Sequence, residues 1–264
     1  MLSDSLLLHL VLAFAVGSVW VTLVTVIAEK AGSMVGGIVG GLPSTSVYSF
    51  FFIGLNQSPT VAAQATAVFP LAFSFTCVFL LSYAFFAWKG FSASLFISLI
   101  IWFALSSLAV ISGIKNYALS LIVAIPIFLG IYYILTEKLR FETLAGAPTR
   151  HTAPQIVGRA IFAGSIVSLA VLLSQIGGPI FGGIFSAFPA TFTSTLYIVN
   201  KSRGVNFSRA ITKPLIVSGT LTIIPYSAAV KYLYPSIGIW LGTIGSYAMV
   251  APLAILSYRI IKHK

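Results

Sequence analysis

Hydroxyl side chains follow a proline in two similar phrases of this sequence. The first, GGIVGGLPSTSVYSFFFI, runs from Gly36 to Ile53, and the second, GGIFSAFPATFTSTLYIV, runs from Gly182 to Val199. Proline removes a backbone donor and clashes with the carbonyl four residues earlier, so it kinks or breaks a helix. In an apolar environment the freed carbonyl must be satisfied by protein, water or ligand. The chemistry that these residues offer is therefore hydrogen bonding to a solute.

We expect the two proline-containing helices to break and to line a central path. The candidate binding residues flank the prolines: Pro43, Ser44, Thr45, Ser46, Pro189, Thr191, Thr193 and Ser194. Residues four apart share a helix face, and in both phrases one face carries small residues followed by hydroxyls. This pattern predicts close helix packing, and the packing candidates are Gly37, Gly41, Ser49, Gly183, Ala187 and Thr195. Packing without any path is the alternative interpretation of the same residues.

The composition is that of an integral membrane protein. The 264 residues are 58% hydrophobic and 7% charged, with a mean hydropathy of +1.04, whereas soluble domains carry about a quarter charged residues. Long apolar runs recur along the chain, and about 20 such residues cross a bilayer. The net charge is +11, but the Lys and Arg residues lie in short connections between the runs. This distribution argues against nucleic-acid binding.

Basic residues also predict how the chain is threaded through the membrane. We place nine apolar spans at residues 5–28, 34–55, 60–87, 91–113, 117–136, 158–176, 179–200, 208–230 and 236–258. With nine spans, all Lys and Arg residues except Lys115 and Lys231 fall on one side. Because positive residues favour the cytoplasmic side, we expect a multi-pass protein of the plasma membrane with its N-terminus outside and its C-terminus in the cytoplasm.

The two phrases belong to a longer internal repeat. Pro43 pairs with Pro189 and, after a two-residue deletion, Pro70 pairs with Pro214. We therefore predict an all-α membrane protein of two four-helix repeats joined by one linker helix, a 4+1+4 plan. Five spans separate equivalent helices, and because five is odd the second repeat is inverted. The predicted units are residues 1–113, the linker helix and cytoplasmic loop at 114–157, and the inverted repeat at 158–264.

A resemblance accompanies the repeat. GGLPSTS in the second span, a proline midway along the third, and a basic or aromatic turn before the fourth resemble small four-span prokaryotic membrane proteins of unknown function. The resemblance covers each half separately and implies a fold unit without an activity. The 4+1+4 plan is also similar to fused dual-topology fluoride channels and to transporters built from inverted halves. Such likeness of architecture does not establish function.

The residues that the sequence lacks narrow the function further. The four acidic residues lie in the terminus, in loops or at span edges, so we expect no proton relay through a buried carboxylate. Catalytic clusters, metal-ligand clusters and phosphate-binding loops are absent from the sequence, so we expect no enzyme, cofactor or metal site.

The sequence thus predicts a transporter or channel for a small solute or ion, with the lipid bilayer as its surroundings and no nucleic-acid partner. The alternatives are a non-transporting membrane scaffold and a halide channel similar to the fluoride channels. Assembly into a homo-oligomer is left open.

Overall fold

The protein is helical throughout the part of the chain that the structure describes. The structure is a computed structural model, and it describes residues 4–30, 43–138 and 152–262. The helices in chain order are α1 Asp4–Lys30, α2 Thr45–Asn56, α3 Pro59–Ala65, α4 Phe69–Phe86, α5 Phe91–Ser112, α6 Tyr117–Tyr133, α7 Ala153–Gly177, α8 Pro179–Ser186, α9 Ala190–Ala210 and α10 Thr212–Lys262. Short 3₁₀ turns, Thr66–Val68 and Ala87–Lys89, adjoin the two ends of α4.

Seven helical stretches among the described residues are long and apolar enough to cross a membrane. Large apolar side chains cover their outward faces; Phe96 is 66% exposed and Trp240 is 69% exposed. A surface this apolar marks contact with a membrane rather than with water. The chain is therefore a multi-pass membrane protein.

Four helix junctions are made by glycines that share one backbone conformation. Gly90, Gly178, Gly204 and Gly238 have φ angles between +80° and +89°. Residues with a Cβ rarely adopt this region, whereas glycine enters it without steric cost. At Gly204 and Gly238 the conformation interrupts α9 and α10, which otherwise read as continuous helices.

Helix α10 reverses direction at Gly238. The rings of Tyr226 and Tyr247 lie 5.6 Å apart, whereas 21 residues of straight helix would separate them by about 30 Å. Tyr234 OH and Thr243 Oγ1 lie 2.8 Å apart across the turn. Helix α10 therefore consists of two antiparallel helical segments, residues 212–237 and 239–262, and not of one straight helix.

Two span boundaries differ from the sequence prediction. The turn expected at residues 231–235 lies at Gly238, because only glycine accommodates its positive φ. Helix α7 begins at Ala153 rather than at residue 158, since Gln155 Oε1 accepts a hydrogen bond from the Thr152 N–H and extends the first turn. The count of nine spans stays a prediction, because residues 31–42 lie outside the described chain.

Helices α1 and α7 pack antiparallel. Ser18 Oγ donates to the Ala160 carbonyl at 2.9 Å, and Ser168 Oγ donates to the Leu10 carbonyl at 2.6 Å. The residue of α7 that is contacted thus has a lower number as the residue number in α1 rises, so the two helices run in opposite directions. Their backbones approach closely, because a Cβ on Gly164 would lie 2.5 Å from the Phe14 carbonyl oxygen.

Helix α4 packs antiparallel to the chain that follows Gly204. Tyr83 OH lies 2.6 Å from Ser208 Oγ, and Cys77 Sγ lies 3.9 Å from Thr220 Oγ1. Residue numbers therefore rise along α4 while those of its partners in the other segment fall, which makes the two segments antiparallel. The core between these helices holds buried aromatic side chains, among them Phe69, Phe73 and Phe79.

Candidate functional site

A membrane helix is broken between α8 and α9. Ala187, Phe188 and Pro189 separate the two helices. The Ala187 N–H donates to the Ile184 carbonyl and the Phe188 N–H donates to the Phe185 carbonyl, so tight final turns end α8. Proline has no N–H with which to continue the ladder. The predicted site residue Pro189 is therefore the last residue before α9.

Helix α2 begins beside this break. Its first residue, Thr45, follows Pro43 and Ser44, and Ser44 Oγ lies 3.1 Å from Thr191 Oγ1 near the start of α9. Neither helix N-terminus is capped by a side chain. Tyr247 OH donates to the Pro43 carbonyl at 3.1 Å and so satisfies the acceptor next to the start of α2. Two uncapped helix starts thus meet inside the bundle.

A cavity of about 40 Å³ lies where these helix starts meet, and we call it the central cavity. Its hydroxyl lining is Ser44, Thr45, Ser46, Thr76, Ser186, Thr191 and Ser218. Phe73, Phe188 and Phe192 are among the apolar residues that enclose it, and none of the lining residues that the structure describes carries a charge. Since one water occupies about 30 Å³ in the liquid, the central cavity has the scale of a small solute.

Hydroxyls from neighbouring helices satisfy the carbonyls at the end of α8. Ser46 Oγ donates to the Ser186 carbonyl at 3.0 Å, and Thr76 Oγ1 donates to the Ala187 carbonyl. Trp102 Nε1 in turn donates to Thr76 Oγ1 at 3.1 Å, which fixes the direction of the threonine hydroxyl. The acceptors that the helix break exposes are therefore already paired.

The donors at the same place are not paired within the described chain. Ser218 Oγ is buried and has no hydrogen-bond partner. Thr45, whose hydroxyl belongs to the same lining, is only 7% exposed. At the start of α9, the N–H groups of Thr191 and Phe192 make no backbone hydrogen bond, as expected for the first turn of a helix.

Five of the predicted binding residues line the central cavity: Ser44, Thr45, Ser46, Pro189 and Thr191. The other three lie outside its lining. Pro43 is joined to it through Ser44, the Thr193 hydroxyl is buried without a partner, and Ser194 Oγ donates to the Thr191 carbonyl one turn earlier at 2.9 Å.

Sequence reasoning missed Thr76, Ser186 and Ser218. The internal repeat contained a signal for one of them, because Ser218 lies four residues after Pro214, just as Ser74 lies four residues after the equivalent Pro70. Thr76 and Ser186 line the central cavity because α4 packs against the end of α8, a contact that local sequence does not reveal.

The residues predicted to serve helix packing differ in the contacts that they make. A Cβ on Gly183 would lie 2.0 Å from the Ala65 carbonyl oxygen, so this position does require close helix contact. Ser49 is fully buried and its hydroxyl has no partner among the described residues. Thr195 Oγ1 donates to the Thr191 carbonyl within α9 itself, and Ala187 belongs to the break. Gly37 and Gly41 lie outside the described residues.

A second cavity opens at one end of the bundle, and we call it the vestibule. It has a volume of about 590 Å³ and is lined by residues that include Gln64, Lys115, Gly178 and Phe181. Along α8 the vestibule comes first, the Gly183 contact next and the central cavity last. The close contact at Gly183 therefore lies between the two cavities.

We expect Trp102→Phe to destabilise the protein by about 1–3 kcal/mol, because it removes the hydrogen bond to Thr76 and leaves a void in place of a fully buried ring. Thermal unfolding of purified protein in detergent measures the change. Trp88→Phe is the matched control, since Trp88 is 75% exposed and its replacement should leave the unfolding temperature nearly unchanged. Equal unfolding temperatures for the two variants would contradict the role given to Trp102.

Within residues 4–30, 43–138 and 152–262, no three His, Cys, Asp or Glu side chains cluster closely enough to hold a metal ion. A family model described as Protein of unknown function (DUF3147) matches residues 10–116, less than half of the chain. No curated protein and no solved structure matches the chain. The first part of this membrane protein is therefore similar to a family without a known function.

Proposed function

We propose that the protein is a transporter or channel for a small solute, with its path through the central cavity. The observation that carries this proposal is the meeting of two uncapped helix starts, those of α2 and α9, at a hydroxyl-lined cavity. Unpaired backbone groups inside a membrane protein are tolerated where they line a cavity that holds water or ligand. Interrupted helices of this kind form the binding sites of many secondary transporters.

The path lies between two inverted four-helix repeats, with α6 as the linker helix and nine spans in total. Two observations support this proposal. The predicted helix equivalents α1 and α7 contact each other antiparallel, and so do α4 and the chain after Gly204. The family match ends at residue 116, close to the predicted end of the first unit at residue 113.

The proposed orientation places the N-terminus outside and the C-terminus in the cytoplasm of the plasma membrane. Lys231 Nζ lies 5.2 Å from the centre of the Tyr117 ring, so Lys231 and Lys115 share one end of the bundle. The rings of Phe91 and Tyr197 lie 6.0 Å apart at the other end, where Lys89 and Lys201 adjoin them in sequence. The richer basic end is the cytoplasmic one.

A scaffold that transports nothing is the rival function. The tight contact of Gly183 with Ala65 favours it, because small residues at helix contacts serve packing alone. Packing does not explain why the starts of α2 and α9 are left without caps beside a cavity. We therefore prefer transport. Lipid surrounds the protein in either case, and neither an enzyme activity nor a cofactor is part of the proposal.

Cysteine labelling tests whether water reaches the central cavity. Because the single native cysteine, Cys77, is fully buried, it provides a silent background for single substitutions. We expect Ser44→Cys, Thr45→Cys and Thr191→Cys to react with a small water-soluble methanethiosulfonate within minutes. Mass spectrometry of the intact protein measures the extent of reaction.

Two control variants give the rates expected for a protected cysteine and for a fully accessible one. Ser98 is fully buried and bonded to the Ser94 carbonyl on its own helix, so Ser98→Cys should stay unmodified. Lys115 lies in the vestibule, so Lys115→Cys should react at once. If the three cavity cysteines stay as protected as Ser98→Cys while Lys115→Cys reacts, the water-accessible path is wrong.

A further inference from the structure

We propose that the solute held in the central cavity is a small monovalent anion. This inference rests on the proposed function and adds to it the chemical class of the solute.

At the break between α8 and α9, the acceptors are paired and, within the described residues, several donors are not. The Ser186 and Ala187 carbonyls accept from Ser46 and Thr76, and the Pro43 carbonyl accepts from Tyr247. A bound cation needs oxygen ligands of this kind, and each of these three carbonyls already directs one lone pair at a hydroxyl group. What the break leaves free is a set of donors, which suits an anion.

Those donors come from both the backbone and side chains. Among the described residues, the N–H groups of Thr191 and Phe192 at the start of α9 have no backbone partner. The uninterrupted first segment of α9, residues 190–203, is long enough to carry a helix dipole. The Ser218 hydroxyl is buried and has no hydrogen-bond partner among the residues that the structure describes, and Thr45, which also lines the central cavity, is 7% exposed. In the Ser44–Thr191 contact only one hydroxyl can donate to the other, so the second keeps a free O–H.

The charge of the vestibule also favours an anion. The vestibule lining contains Lys115 and no acidic residue. At the opposite end of the bundle, Lys89 follows α4, Lys201 lies three residues before the interruption of α9 at Gly204, and Lys213 lies at the start of α10. A cavity mouth of one sign raises the local concentration of the opposite ion, so the vestibule favours anions.

The size and neutrality of the central cavity limit the anion. A volume of about 40 Å³ admits a monatomic or few-atom ion, since a water occupies about 30 Å³. The lining supplies neutral donors without a fixed cation, which suits a single negative charge that binds and then leaves. Conduction requires binding of this limited strength.

Proteoliposomes test the assignment directly. The full chain is reconstituted and loaded with potassium fluoride, chloride or nitrate, and valinomycin is added to compensate charge while ion-selective electrodes follow anion efflux. We expect efflux of at least one of these anions to exceed that from protein-free liposomes at least tenfold. Ser218→Ala, which removes an unpaired donor, should lower that efflux at least fivefold.

The matched control is Ser98→Ala, which removes a fully buried serine hydroxyl bonded within its own helix. It should leave efflux within twofold of the unchanged protein. Gel filtration of each variant verifies folding, and Thr45→Val replaces Ser218→Ala if the latter aggregates.

The outcomes separate the two proposals. If glycerol or urea passes while no anion does, or if potassium without valinomycin passes as readily as the anions, the anion assignment is overturned and transport stands. If no solute passes and the cavity cysteines stay unreactive, transport itself fails. If anions pass but Ser218→Ala and Thr45→Val, both folded, leave efflux unchanged, the central cavity is not their binding site.

Discussion

Gly183→Ala is expected to lower the free energy of unfolding by about 3 kcal/mol, the upper end of the range for overpacked cores. The added Cβ would lie 2.0 Å from the Ala65 carbonyl oxygen and 3.2 Å from a Val68 methyl group. A backbone atom cannot turn aside as a flexible side chain can, so α8 and α3 must separate. Thermal unfolding in detergent, followed by intrinsic fluorescence, measures the loss.

Gly130→Ala is the matched control for this change. Gly130 also lies within a helix, but a Cβ there meets nothing within 4 Å. Alanine at that position should leave stability unchanged or raise it by up to about 1 kcal/mol, because glycine is the poorer helix former. If both variants unfold at the same temperature, the contact between α8 and α3 is looser than the structure describes.

Thr191→Val is expected to reduce solute flux about 10- to 100-fold while the protein stays folded. Valine keeps the shape of threonine and removes the hydroxyl that contacts Ser44 and faces the central cavity. A hydrogen bond to a charged group contributes about 1.5–3 kcal/mol, and each 1.4 kcal/mol corresponds to about tenfold in an equilibrium constant. Flux into proteoliposomes, normalised to the amount of folded protein, measures the effect.

Thr195→Val provides the comparison for this variant. Thr195 lies one turn further along α9, and its hydroxyl donates to the Thr191 carbonyl of the same helix. Its replacement should change flux less than twofold. Equal flux from Thr191→Val, Thr195→Val and unchanged protein would favour the scaffold function, in which these hydroxyls serve only packing.

Part of the site was predictable from sequence because its cause is local. Proline disfavours a continuing helix through its own ring and missing N–H, and at Pro189 the helix does break, so the residues beside it are near a helix end. Ser44 and Thr191 were found in this way, and they lie 3.1 Å apart. The membrane character followed from composition for a similar reason, since apolar runs need no knowledge of neighbours.

The rest of the site depends on contacts between distant segments. Thr76 reaches the Ala187 carbonyl across 111 positions of sequence, and Trp102 orients it from another helix. No local pattern marks either residue. Ser218 stood in the repeat alignment, but its lack of a partner became visible only when its surroundings were known.

The one-residue junctions have a practical consequence for work with this protein. At Gly90, Gly178 and Gly238 one helix stops and the next starts without an intervening loop. Proteases cut exposed loop tips, and foreign sequences are tolerated at the same places. Limited digestion should therefore spare these three turns, and affinity tags or reporter domains inserted there would pull apart the helices that each glycine joins.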